Sequence, residues 1–279
     1  MRLSVAIVNW NTTNLLAACV RSILTFPPKS DCDIIVVDND SKDFEEQQFR
    51  AEFPAVKLIR NSENAGYAKG NNQALKEAQG DYILLLNPDT EVTEGALDAL
   101  VEFMDGHPSA GAAGAKLIRP NGDVDRSVRS FPYPGPIGWE YVGLARLFPR
   151  SKVFGAYRMT WFGYDSEAQV DQPMGSALII RTKTLREIGT MDESFPIFFN
   201  EVDWLYRAKQ AGWQTYFVPG AVVVHHGGSS TKQVRRKEMV RESHRSLLRF
   251  YAKHFKGRIC PLSYYFTVAC IRVSMRLRG

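Results

Sequence analysis

The sequence is short of cysteine and has no long apolar run. Its 279 residues include four cysteines, Cys19, Cys32, Cys260 and Cys270. They form no Cys-x-x-Cys pair and no cluster with metal-ligand spacing. That argues against a disulfide scaffold or a structural zinc site, and for reduced thiols in a cytosolic compartment. The first apolar run, residues 5–8, is too short for a signal peptide and runs into Asn9. The last apolar stretch, residues 259–273, is broken by Arg272 and falls short of a bilayer span. Two nucleotide motifs are missing as well. No Gly-x-Gly-x-x-Gly follows the first apolar run, and no Gly-x-x-x-x-Gly-Lys-Ser/Thr occurs anywhere. A dinucleotide-dependent oxidoreductase and a P-loop nucleoside triphosphatase are thereby disfavoured.

What is present supports a sizeable core. Hydrophobic residues make up 44% of the chain, enough for one large α/β domain or two smaller ones. Charge is unevenly placed. Residues 231–279 carry 13 Lys and Arg against two acids, Glu238 and Glu242, a net +11. The rest of the chain holds 22 basic and 28 acidic residues, a net −6. A basic tail suits an anionic membrane surface or nucleic acid. With an apolar stretch beside it, a helix lying on the membrane is the expectation, and no nucleic-acid partner is expected.

Residues 83–86 form an unbroken apolar run, long enough for a strand buried on both faces and short for a helix. It stops at Asn87-Pro88-Asp89. Pro88 cannot donate to a sheet ladder, so the polar side chains fall at the strand's carboxyl end. Ligands of open α/β sheets bind at that end. A carboxylate beside an amide oxygen there suits a hard divalent cation that also holds phosphate oxygens. Two earlier runs, residues 3–8 and 33–38, read as strands with the same habit. One ends in Asn9-Trp10-Asn11, the other in Asp38-Asn39-Asp40-Ser41. A helix between them has Leu15, Leu16, Val20, Ile23 and Leu24 at helical spacing. A short strand at 56–59 and a helix opening at 64–72 follow. Gly66 and Gly70 permit close backbone approach to a ligand there. Thr93 is the expected cap of the next helix. Strands alternating with helices imply a parallel sheet. Acidic strand ends repel phosphates unless a cation intervenes, which favours a metal-assisted nucleotide site.

The second half is less regular. Residues 119–172 show weak periodicity and many aromatics, among them Trp139, Tyr157, Trp161, Phe162 and Tyr164. Such rings are platforms for sugars or core fillers. Met174-Gly175-Ser176 precedes a strand at 177–180. Phe199-Asn200-Glu201-Val202-Asp203 opens a helix ended by Gly212. Residues i and i+2 of a helix do not face the same way, and Asp203 can pair with Arg207 at i,i+4. Glu201 and Asp203 are both candidate catalytic carboxylates, and either capping or catalysis would explain Glu201 near the helix start. A strand at 222–224 ends in His225-His226-Gly227-Gly228, where a histidine can join Asp89 on one metal. A helix over 235–254 begins the basic tail.

Six of these segments together resemble glycosyltransferase family 2, in its bacterial rhamnosyltransferase-like branch. They are 8–11, 37–41, 64–72, 87–89, 199–203 and 225–228. The resemblance implies the GT-A fold, a Rossmann-like, mostly parallel sheet flanked by helices. It implies a nucleotide-diphosphate sugar donor, a Mg²⁺ or Mn²⁺ ion, and inversion at the anomeric carbon. By position it makes Asp38 the reader of the pyrimidine ring, with Asn9 and Asp40 in the same pocket and Asn64 and Gly66 on its border. Asn87 and Asp89 match the metal motif, with Asn in place of its first Asp. His225, or its neighbour His226, matches the distal metal ligand. Glu201 matches the general base, where the family often has Glu-Asp in place of Asn200-Glu201.

The expectation is thus a GT-A domain over 1–230, with a nucleotide half to about 115 and an acceptor half beyond it. A basic helical extension, 231–279, follows. The enzyme expected is an inverting, metal-dependent glycosyltransferase, peripheral at the inner face of the plasma membrane, with dTDP-rhamnose the leading donor. Its acceptor is a cell-surface polysaccharide or a lipid-linked glycan. The rivals are a non-catalytic nucleotide- or glycan-binding module of the same fold and a sugar-phosphate nucleotidyltransferase.

Overall fold

The computed structural model describes residues 2–227 and 236–278. The boundary expected at 230/231, the helix start at Arg235, and Gly228 of the histidine motif lie outside them.

Four strands build the parallel half of the sheet. They are β1 (Leu3–Asn9), β2 (Cys32–Asn39), β3 (Lys57–Asn61) and β4 (Tyr82–Leu86). The connecting helices are α1 (Thr13–Thr25), the short α2 (Glu46–Glu52) and α3 (Tyr67–Glu77). α1 buries Leu16, Cys19, Val20 and Ile23 on one stripe, while Leu24 stays exposed. All five residues of β4 are buried. Alternation along the strands divides the core between two faces. Val5, Ile7, Leu84 and Leu86 point to one cluster, and Ala6, Val8, Ile83 and Leu85 to the other.

The chain continues through β5 (Thr90–Val92), α4 (Ala96–Gly106) and β6 (Ala110–Ile118). Thr93 does not cap α4. Its hydroxyl donates to the Val222 carbonyl at 2.8 Å, and Gly95, at φ +73°, precedes the helix. Short pieces follow: β7 (Val128–Arg129), α5 (Pro134–Tyr141), α6 (Leu144–Leu147), β8 (Ala168–Gln169) and β9 (Gln172–Pro173). The last elements are β10 (Ala177–Arg181), α7 (Thr182–Ile188), α8 (Asn200–Gln210), β11 (Gln214–His225), α9 (Arg236–His254) and α10 (Pro261–Arg278).

The main sheet runs β3-β2-β1-β4-β10-β6-β11-β5, with β8 alongside β11. β3, β2, β1 and β4 are parallel; β10 enters antiparallel to β4 and β6. β6 and β11 are parallel to each other, and β5 pairs antiparallel with β11. This arrangement sends four chain segments to one sheet edge. Asn9 and Asp38 sit opposite each other at the ends of β1 and β2. Leu86 at the end of β4 faces Ala177 at the start of β10. His225 at the end of β11 faces Thr90.

The basic segment packs on the body. Leu247, Phe250 and Tyr251 of α9, and Tyr264, Val268 and Ile271 of α10, join the core cluster beneath α8. A buried carboxylate pins the contact. Asp203 of α8 is 0% exposed. It accepts from Arg207 Nε at 2.9 Å and faces Lys253 Nζ and His254 Nε2 at 2.7 Å each. Burial alone would raise its pKa, but the hydrogen bonds from His254, Lys253 and Arg207 outweigh burial and hold it below the usual range.

A carboxyl with a depressed pKa stabilises the fold above its unfolded pKa, near ~3.9, and that contribution is lost as pH falls through the folded value. Asp203→Asn is therefore expected to lose roughly 3 kcal/mol at pH 7, because it leaves buried cations without their carboxylate. The gap to wild type should narrow steadily below about pH 4. Urea unfolding at both pH values measures this, and equal stability at pH 7 would remove the clamp from the account.

Candidate functional site

At the ends of β1 and β2 the predicted pocket residues hold one another. Asn9 and Asp38 are both fully buried. Asn9 Nδ2 donates to Asp38 Oδ1 at 2.9 Å and to Ser41 Oγ at 3.1 Å. The Ser41 amide donates to Asp38 Oδ2 at 3.1 Å, and Arg60 Nε stands 3.8 Å from the same oxygen. Asp38 thus braces the two loops from within. Asp40 is exposed in the following loop, at φ +58°, and Asn11 adopts φ +52° in the loop after β1. Non-glycine residues in this region are strained, and such strain concentrates at functional loops. Asn64 is exposed and accepts from the Gly66 amide at 3.0 Å, forming a turn that leads into α3. Gly66 has φ +86°, and a Cβ there would stand 3.2 Å from the Pro196 carbonyl oxygen. A glycine is required at that position.

At the end of β4 the metal-motif residues take distinct places. Asn87 receives a hydrogen bond from Tyr67 Oη at 3.0 Å and donates to Ser176 Oγ at 3.1 Å. Asp89 is buried, and its Oδ1 lies 3.7 Å from His225 Nε2. His225 Nδ1 lies 3.0 Å from Asp125 Oδ2. A carboxylate at Nδ1 places the proton there and turns the Nε2 lone pair toward Asp89 and Ser176, whose Oγ is 3.3 Å away. This carboxylate–imidazole pairing is the usual support of a metal-bound histidine. His226 is spent elsewhere. Its Nε2 meets Glu91 Oε1 at 2.7 Å, and its amide donates to the Asp89 carbonyl at 2.9 Å. Of the two histidines, His225 is the one beside Asp89.

Among the described residues no cluster of three or more His, Cys, Asp or Glu could enclose an ion. The donor set is one carboxylate and one imidazole. It fits a magnesium-like cation that completes its shell with water and ligand phosphates.

Glu201 approaches from the other side, at the start of α8. The preceding residue, Phe199, has φ +69°. Asn200 is fully buried and holds the loop before it, donating to Ile197 O at 2.9 Å and accepting from the Glu201 amide at 2.7 Å. So Asn200 is structural, and Glu201 is the residue that faces out. A Cβ on Gly175 would stand 3.2 Å from Glu201 Cγ, so the bare backbone at 175 makes room for this side chain. Burial pushes the Glu201 carboxyl up; its own amide and Arg129 pull it down by less. Among the described residues no other side chain hydrogen-bonds that carboxylate, in contrast with the three donors on Asp203. Asp203, predicted as a catalytic candidate beside Glu201, points instead into the α8–α9 contact.

The residue pattern missed the centre of the arrangement. Tyr67 sits within the motif read only for its glycines. Its hydroxyl is raised by burial first, and further by the nearby carboxylates Glu201 and Asp89, so it lies within reach of both halves. Residues 174–176 join those halves: Gly175 borders Glu201, and Ser176 touches Asn87 and His225. Asp125 comes from the weakly periodic region and gave no signal. The aromatic residues there divide between core and surface. Tyr164 and Phe162 pack on Phe217, while Trp139 and Trp161 lie exposed. A cavity of about 420 Å³ is lined by Phe131, Trp161, Asp171, Lys209 and Trp213. It reaches Thr215 at the start of β11, the end of the strand away from His225.

Comparison with known proteins gives this geometry its family. The profile of glycosyl transferase family 2 matches residues 4–163. An N-acetylglucosaminyl-diphospho-decaprenol L-rhamnosyltransferase of Mycobacterium tuberculosis is 32% identical over 209 residues, covering 71% of this chain and 67% of its own length. Two solved structures share the fold at 16% identity. The mannosyltransferase PcManGT from Pyrobaculum calidifontis, in complex with GDP-Man and Mn²⁺, superposes with a TM-score of 0.63 over 99% of this chain and 70% of its own. S. aureus TarS 1–349, in complex with UDP-GlcNAc, does so at 0.62 over 98% and 72%. The chain belongs to glycosyl transferase family 2 and is a glycosyltransferase, of a kind similar to the rhamnosyltransferases.

Proposed function

We propose that this glycosyltransferase is inverting and metal-dependent, and that it moves a sugar from a nucleotide diphosphate to a glycan or lipid-linked glycan. One observation carries the reading: Asp89–His225 and Glu201 converge on one sheet edge from opposite sides of the 174–176 loop. Two halves with different chemistry are what the reaction needs. The diphosphate leaves at one side, and the acceptor hydroxyl attacks from the other.

The nucleotide binds at the ends of β1 and β2. Asp38, buried and held by Asn9 and Ser41, braces the base pocket from beneath, with Asp40, Asn64 and Gly66 at the rim. Asn87 is held by Tyr67 and Ser176 beside the diphosphate. Asp89 and His225 hold Mg²⁺ or Mn²⁺. When bound, the ion neutralises charge developing on the leaving diphosphate. Glu201 takes the proton of the acceptor hydroxyl. In-line attack from that side inverts the anomeric carbon. A raised pKa suits a base, because it brings proton affinity closer to the working pH. The donor proposed is dTDP-rhamnose, and the acceptor a lipid-linked or cell-surface glycan; the mycobacterial relative's name supports rhamnose as the sugar and a lipid-linked acceptor. The basic segment 231–279 holds the enzyme at an anionic membrane surface, on the inner face of the plasma membrane. Among the described residues no helix is long and apolar enough to cross a membrane.

Asp89→Ala is expected to abolish the rise in melting temperature that nucleotide sugar plus Mn²⁺ gives the wild type, since only ligand bound to the folded state produces it. Circular dichroism should stay unchanged. A variant that keeps both the thermal shift and full transfer would take Asp89 out of the site.

Glu201→Gln keeps size and hydrogen bonding but cannot accept a proton. Transfer should fall by roughly 10²-fold or more, with donor binding near wild type. The wild-type rate should fall with decreasing pH through the raised Glu201 pKa, so its acid limb lies above the ordinary glutamate value of about 4.3. Normal turnover in Glu201→Gln, together with loss in a folded Asp203→Asn, would reverse the assignment.

A further inference from the structure

We propose that α10 and the α5–α6 segment form one two-part face that seats in an anionic bilayer, so that the membrane contact is not made by the tail alone. This rests on the membrane reading above and adds a second element to it.

α10 is apolar on two opposite sides. Its buried side, with Tyr264, Val268 and Ile271, packs on the body. At about 100° per residue, Leu262, Phe266, Val273 and Leu277 fall within a roughly 60° arc on the opposite side. Leu262 is 83% exposed and Leu277 80%. Among the described residues nothing in the body covers this stripe. Arg272 and Arg276 lie along one edge of it.

A second exposed apolar group lies on the element that α10 touches. α10 packs against α5, and Tyr141 at the end of α5 is within electrostatic reach of Arg278. Val142, Leu147 and Phe148 follow directly, at 51%, 71% and 51% exposure, and Trp139 precedes them. Scattered exposed apolar residues need no explanation, but grouped ones on two touching elements do.

Charge selects the occupant. Residues 141–164 contain Arg146, Arg150, Lys152 and Arg158 and no acid, and residues 255–279 contain five Lys and Arg and no acid. Glu140, beside Trp139, is spent on Arg158 at 2.7 Å, which leaves Arg146, Arg150 and Lys152 on one element and Arg272 and Arg276 on the other, and apolar side chains with such an excess of cations match an anionic lipid surface. A second copy of the same face would set arginine against arginine. An interfacial aromatic such as Trp139 also suits the headgroup level.

The test is co-sedimentation of the full chain with phosphatidylcholine vesicles, with and without phosphatidylglycerol. Two double variants are compared, Leu147→Ser/Phe148→Ser and Leu262→Ser/Leu277→Ser. All four side chains are exposed, so folding, checked by circular dichroism, should be unaffected. Each pair is expected to lower partition into the anionic vesicles by roughly tenfold or more, the effect of losing two buried apolar side chains. Unchanged binding of the 147/148 variant, with loss in the 262/277 variant, overturns the two-part face and leaves the tail reading standing. Wild type that ignores the anionic vesicles overturns both. A dimer in sedimentation velocity that the 147/148 variant splits, with vesicle binding intact, assigns this face to a second copy and also overturns the proposal.

Discussion

β4 is the seam on which the molecule depends. On one side it pairs parallel with β1, on the other antiparallel with β10. The parallel side aligns strand ends, as any doubly wound sheet does. The antiparallel side brings the residues before β10 back to the same edge. The ladder runs on past the strand, with the Asn87 amide donating to Ser176 O at 2.9 Å. That one backbone bond sets the 174–176 loop beside Asn87. Ser176 then reaches His225, and Gly175 receives Glu201. A single change of strand direction thereby assembles groups from residues 67 to 225 of the sequence.

Glu201 and Asp203 show how two carboxylates on one helix acquire different chemistry. Two residues on a helix are separated by about 200°, so one faces the cleft and the other the body. Asp203, itself fully buried, accepts from Arg207, Lys253 and His254 and stays ionised. Glu201 borders the bare backbone of Gly175 and has no such set of donors, so burial favours its protonated form. Environment, not residue type, divides their chemistry, and it is on this difference that the proposed roles of base and support rest.

The core strands of the parallel half were legible because their apolar runs have nothing else to be. β1, β2, β4 and β10 carry branched side chains on both faces. β6 was not, since Ala110, Gly111, Ala112, Ala113 and Gly114 give no periodic signal. Those small residues let the chain pass closely: a Cβ on Gly114 would meet Pro173 Cβ at 2.3 Å. β11 was read only at residues 222–224, because Pro219-Gly220 interrupts its pattern where the register with β6 breaks between Val218 and Val222. Of the site, the polar strand ends were visible, because a buried run that stops at Asn9, Asp38 or Asn87 marks an edge. Tyr67, Asp125 and Ser176 were not. Their positions follow from tertiary contacts across 20 to 100 residues, which no local pattern encodes.

The uneven charge of the chain looks different once folded. The tail's +11 describes a sequence, whereas folding sorts its cations by direction. Lys253 and His254 turn inward onto Asp203, and Lys253 also meets Asp192 at 2.6 Å. These contacts secure α9 to α8, the helix that carries Glu201. α10 packs on α9 and turns Arg272 and Arg276 outward with its apolar stripe. The same basic segment thus has an inner side packed on α8 and an outer side that is exposed. A chain of packed helices, α10 to α9 to α8, connects the two. Whatever holds the outer side therefore sets the orientation of the cleft relative to it, with no moving part required.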